Sequence, residues 1–135
     1  MDGIEIHLAD HEKITINLSV VDLGKVDLLV EHGHYSNRTD FIRTSIRSQL
    51  DRHASEVQQT ISRQAFVIGV LTYSRKALER AKSKGERLDI KVIGLLRLAD
   101  DVSPALAADV IESISVRGVF NANEALRTAL ADRIH

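Results

Sequence analysis

Lys13-Ile14-Thr15-Ile16-Asn17-Leu18 is the stretch whose reading decides the fold. Strand side chains alternate between faces, so Ile14, Ile16 and Leu18 point one way and Lys13, Thr15 and Asn17 the other. One face needs a hydrophobic core, and the other is a row of groups able to hydrogen-bond to a ligand. A lone strand followed directly by helices has no neighbour in its own chain, and its amides and carbonyls need partners. A second copy of the chain is the simplest source of them.

Downstream, Ser19 is placed to cap a helix, with Asp22 three positions on. Leu23, Val26, Leu29 and Val30 then follow at helical spacing and predict a helix to about His32. Gly24 inside it costs about 1 kcal/mol relative to alanine, so packing must hold this helix. Gly33-His34-Tyr35-Ser36 breaks the pattern, and Asn37 restarts it as N-cap with Asp40 at the third helical position. Phe41, Ile42, Ile46, Leu50, Val57 and Ile61 fall on one side of a second helix that is expected to run without interruption past residue 55. Arg38, Arg43, Arg47 and Arg52 lie on its other faces, and the free amides at its start suit a phosphate.

The run Ile14 to Leu18, then a helix, then Gly33-His34-Tyr35-Ser36-Asn37-Arg38-Thr39-Asp40-Phe41-Ile42-Arg43 resembles the ribbon-helix-helix repressors of the Arc, MetJ and CopG type. The resemblance covers residues 12–53. It implies that strands from two chains pair antiparallel into a ribbon that enters the DNA major groove. By position, it makes Lys13, Thr15 and Asn17 the base readers, while Ser36, Asn37 and Arg38 hold the DNA backbone. The chemistry of these side chains agrees. Lysine suits guanine O6 and N7, asparagine suits adenine N6 and N7, and threonine can touch a thymine methyl. A segment of roughly 40 residues is too small to bury a sufficient core alone, so folding and dimerisation should be one event. The expected dimer core is Ile14, Ile16, Leu18, Val26, Leu29, Ile42, Ile46 and Leu50. Two departures stand out: Val20 and Val21 occupy a helix start that is expected to be polar, and residues 12–53 are nearly balanced in acids and bases. The balance implies modest non-specific affinity.

Composition bounds the rest. The chain has 135 residues, a net charge of −1 and no cysteine, which excludes disulfides, zinc ribbons and thiol catalysis and argues against a broad cationic surface. No leader or membrane-spanning run is apparent, so the expected location is the cytoplasm, associated with the nucleoid.

Beyond residue 64 a repeat can be written from Gly69, Gly94 and Gly118, spaced 25 and 24 apart. Aligning on them gives one apolar face: Ala65, Ile90 and Ile114; Val67, Val92 and Val116; Leu71, Leu96 and Phe120; Tyr73, Leu98 and Ala122. Glycine on that covered side is expected to let a helix come close to the sheet. Ser74, Ser103-Pro104 and Asn123 each open a helix after its strand, covering Arg75–Lys82, Ala105–Ile111 and Glu124–Ala131. Strand and helix alternating three times imply parallel strands with all helices on the apolar face. The expected function of this half is oligomerisation, with a ligand site at the carboxyl ends of the strands as the alternative.

The fold expected is therefore mixed α+β and α/β. It consists of a flexible tail over 1–11, a ribbon-helix-helix domain over 12–54, a helical connector over 55–64 and a three-unit βα repeat over 65–135. The length and two-part plan are also similar to nickel-responsive regulators, but residues 54–134 hold neither histidine nor cysteine, so no metal site is expected. Asp100-Asp101 precedes the Ser103-Pro104 helix start, where acids complement the helix dipole, and no base, nucleophile or phosphate loop accompanies it. No catalytic residue, enzyme activity or cofactor is expected. The function expected is a homodimeric, sequence-specific transcriptional repressor. Its partners are double-stranded DNA, a second copy of itself with higher oligomers through the C-terminal sheet, and a toxin or small-molecule effector. The rival readings are an antitoxin, a partition or relaxosome accessory protein, or an assembly protein that polymerises through the βα repeats.

Overall fold

The computed structural model describes residues 11–135, so the expected tail over 1–11 lies outside the described residues except for His11. The chain divides into two compact units, one formed by Lys13–Arg63 and one containing Gln64–His135.

In the first unit, α1 (Val20–Glu31) is followed by α2 (Arg38–Arg52) and α3 (Ala54–Gln64). Ser19 caps α1 by accepting a hydrogen bond from the Asp22 amide at 3.1 Å. The helix ends in a Schellman turn, in which Gly33 donates its amide to the Val30 carbonyl and His34 donates to Leu29. Gly33 sits at φ +82°, a left-handed conformation that glycine adopts without steric cost. Just after it, the Tyr35 ring meets Phe41 edge-on, with centroids 5.0 Å apart. This tight reversal lays α2 against α1, burying Val26 and half-burying Leu23, Leu29, Val30, Phe41 and Ile42.

Two features of this unit differ from the sequence reading. The long second helix is interrupted at His53, whose φ of −102° and ψ of 15° end α2. The break is confined to one residue, because His53 still donates to the Gln49 carbonyl at 3.2 Å and accepts from the Val57 amide at 3.1 Å. Its Nδ1–H donates to Glu56 Oε2 at 2.6 Å, holding the ring to the first turn of α3. The second difference concerns the stretch over 13–18: residues 11–19 form no regular element. A strand exists only through its pairing, and among the described residues the first unit offers no other strand to pair with.

The second unit contains β1 (Val67–Tyr73), α4 (Arg75–Ser83), β2 (Leu88–Leu98), α5 (Pro104–Val110), β3 (Ile111–Asn121), α6 (Glu124–Ala129) and a 3-10 turn (Ala131–Arg133). All three strands are parallel in the order β1-β2-β3, with Gly69 beside Gly94 beside Gly118, so the repeat read from the glycines holds in the register. The caps hold as well: Ser74, Ser103 and Asn123 accept from the Ala77, Leu106 and Leu126 amides at 3.3, 3.2 and 2.9 Å. Leu78 and Ala81 of α4, Ala107 and Val110 of α5, and Leu126 of α6 pack with Ile90, Val92, Leu96, Leu98 and Ile114 of the sheet. The helices thus cover one face. Each fully buried Val, Leu or Ile contributes about 1.5–3 kcal/mol, so this layer closes a core within one chain.

The glycines play a different part from the one expected. Gly69, Gly94 and Gly118 have φ of +137°, +134° and +127°, and in that backbone a Cβ would point along the sheet rather than at the helices. At Gly94 it would run into the Gly69 carbonyl, and at Gly118 into the Gly94 carbonyl. What Gly94 and Gly118 admit is the neighbouring strand's backbone. Two boundaries also move. Ala65 lies outside the sheet at φ +57°, and Ile111 begins β3 directly instead of ending α5. At the far side of β3, Ile134 pairs in parallel with Ile114 as an isolated bridge, and the His135 amide donates to the Ile114 carbonyl at 2.8 Å.

Candidate nucleic-acid interface

The residues expected to read DNA are all exposed, and so is the apolar set behind them. Lys13, Thr15 and Asn17 lie open to solvent, while Ile14, Ile16 and Leu18 are 68%, 53% and 44% exposed. Neither face of the stretch is covered. Of the remaining residues expected in the dimer core, Val26 is buried, Leu29 and Ile42 are half-buried, and Ile46 and Leu50 are exposed. A single chain therefore fills only the inner part of that core.

The start of α2 is built by three neighbouring residues. Asn37 accepts from the Asp40 amide through Oδ1 at 2.8 Å, and Asp40 Oδ2 accepts in return from the Ser36 amide at 2.9 Å. This reciprocal cap fixes the turn and leaves the Arg38 and Thr39 amides, at the first two helical positions, without an acceptor among the described residues. Unsatisfied amides at a helix start carry partial positive charge and can take a phosphate oxygen.

Arg38 is held in a way the sequence reading missed. Its Nε and Nη2 form a fork on Asp27 of α1, donating to Oδ1 at 2.8 Å and Oδ2 at 2.9 Å. The Arg38 hydrogen bond holds the Asp27 carboxyl below the usual carboxylate range, and the same pairing raises Arg38. Both side chains are about half exposed, so the pair ties α1 to α2 geometrically more than it stabilises them. The fork leaves Nη1 without a partner among the described residues. The available signal for Asp27 was its place beside Val26, the one buried residue of α1, which sets it at the edge of the packed seam.

In the second unit the acidic pair ties helix starts together. Asp101 accepts from the Arg75 amide at the start of α4 at 3.0 Å, and Asp100 accepts from Asn123, the α6 cap, at 3.4 Å. Besides standing ahead of the Ser103-Pro104 helix start, these acids thus reach the helices on either side of it. A cleft of about 660 Å³ lined by Arg75, Glu79, Lys82, Ser103 and Leu106 opens nearby. Its charges are committed to each other and to a neighbour: Arg75 to Glu79 at 3.1 Å and Lys82 to Asp109 at 3.0 Å.

Among the described residues, no helix is long and apolar enough to cross a membrane, and no cluster of three or more His, Asp or Glu side chains could hold a metal ion. The sequence profile of the Ribbon-Helix-Helix transcriptional regulator family matches residues 9–127, which takes in both units. Neither a curated protein nor a solved structure matches the chain significantly.

Proposed function

The chain belongs to the ribbon-helix-helix transcriptional regulator family, and we propose that it is a repressor acting as a homodimer in the cytoplasm, at the nucleoid. Two copies of residues 13–18 pair antiparallel into the ribbon that enters the major groove. The observation that carries this reading is the bareness of the first unit. Ile14, Ile16, Leu18, Ile46 and Leu50 are all exposed in one chain, beside a stretch with no pairing partner among the described residues. A second copy supplies both the missing strand and the missing half of the core. Pairing then leaves Lys13, Thr15 and Asn17 on the outer side of the ribbon, and symmetry doubles the readers.

Ser36, Asn37 and Arg38 hold the DNA backbone in this reading. The phosphate meets the Arg38 and Thr39 amides and the free Nη1 of Arg38, while Asp27 fixes the guanidinium plane.

Binding titrations against a selected operator and a scrambled duplex test the assignment. Lys13→Ala and Asn17→Ala should each lose about 1–3 kcal/mol of discrimination while the dimer persists. Operator preference unchanged in both variants would defeat the ribbon. Arg38→Ala should weaken both duplexes alike and reduce the salt slope by about one. An unaltered slope would remove Arg38 from the phosphate site.

A further inference from the structure

The two edges of the sheet differ. Beyond β3, Ile134 and His135 pair with Ile114 near the start of the strand, and Arg117 places a charge further along it. Beyond β1, among the described residues, nothing pairs. Stacked repeats need both ends covered, because an end strand otherwise presents its free amides, carbonyls and apolar side chains to water. Edge strands that stay unpaired are protected by charges, proline or bulges. Val67-Ile68-Gly69-Val70-Leu71-Thr72-Tyr73 contains no charge and no proline, and Val67, Ile68 and Val70 are 51%, 65% and 38% exposed.

The glycine column points the same way. Gly118 makes room for β2 and Gly94 makes room for β1. Gly69 keeps the same backbone, at φ +137°, yet no described residue lies within 4 Å of where its Cβ would stand. The space that the other two glycines give to a neighbouring strand is present at β1 and unused.

We propose that the outer edge of β1 pairs antiparallel with β1 of a second copy, joining two three-stranded sheets into one. The choice of a second copy rests on the dimeric reading above, which brings another C-terminal unit within tether length of the first. A two-fold axis makes one edge complementary to itself, and an uncharged strand meets its own copy without repulsion. Val70, at the middle of β1, then lies at or beside the axis.

Sedimentation of the full chain separates this contact from the ribbon. Ile16→Asp removes ribbon pairing and should leave a species that still self-associates, while Ile16→Asp combined with Val70→Lys should be monomeric. At the roughly millimolar concentration that tethering supplies, an Ile16→Asp chain that stays monomeric while keeping the unfolding transition of the second unit overturns the β1 contact. Val70→Lys that is monomeric by itself, with Ile16→Asp unchanged in mass, instead supports the β1 contact and defeats the ribbon dimer. The chain has no cysteine, so single cysteines report directly. Ile68→Cys, Val70→Cys and Thr72→Cys share one face, and at least one should form an intermolecular disulfide at least tenfold faster than Thr128→Cys on α6. All three at the Thr128→Cys rate would overturn the contact without depending on either charged variant.

Discussion

The two units solve the problem of a small core in opposite ways. Residues 13–63 bury a single side chain, Val26, and leave Ile14, Ile16, Leu18, Ile46 and Leu50 in water. The unit containing residues 64–135 buries Leu78, Val92, Leu96, Val110, Ile111, Ile114, Leu126 and Leu130 completely. The first is unfinished as one chain, whereas the second needs help only along one edge. In the proposed dimer this division serves a regulator, because a unit that folds only on pairing would present its groove-reading face only as a dimer.

The largest effect that sharpens the contrast comes from Gly94→Ala. The new methyl meets the Gly69 backbone in a conformation that only glycine tolerates, so the second unit should lose about 3 kcal/mol or more. Unfolding followed by circular dichroism should then lack the transition of the second unit, while DNA binding by the first persists. Parallel loss of DNA binding would mean that the two units are one cooperative body. Leu78→Ala should cost the second unit about 2–5 kcal/mol at any protein concentration. Ile46, exposed in one chain, should act differently if the proposed dimer covers it: Ile46→Ala should then shift the unfolding midpoint by an amount that grows on dilution. A shift independent of concentration would place Ile46 outside the dimer core.

The smallest effect is that of the Arg38–Asp27 fork. Asp27 is held below the ordinary carboxylate range in the folded unit, so its contribution is fully present above the unfolded value and lost as pH falls through the folded one. Between neutral pH and about pH 5 the difference between wild type and Asp27→Asn should stay constant, and it should shrink below about pH 4. A difference already shrinking at neutral pH would assign the stabilisation to another group.

What could be read from the sequence follows from how local the cause is. Every helix start named by its cap residue, at Ser19, Asn37, Ser74, Ser103 and Asn123, is set by a side chain three residues from the amide it serves. The parallel register was legible because three glycines repeat at nearly equal spacing and align in the sheet. The reason for the glycines was not, since alternation alone predicts which face a residue takes and says nothing of a φ near +130° that turns the Cβ along the sheet. Asp27 and Asp101 escaped for a related reason. Their partners, Arg38 and Arg75, are 11 and 26 residues away and are brought near only by the helix turn and by the strand crossover. The strand over 13–18 was read from a two-residue alternation, and among the described residues that stretch forms no regular element.

The central claim is that residues 13–18 of two chains read DNA, and selection of bound fragments from random duplexes tests it most directly. The wild-type chain should recover a short repeated motif, and the Lys13→Ala/Asn17→Ala double variant should remain dimeric and recover none. Recovery of the same motif by the double variant would contradict the claim.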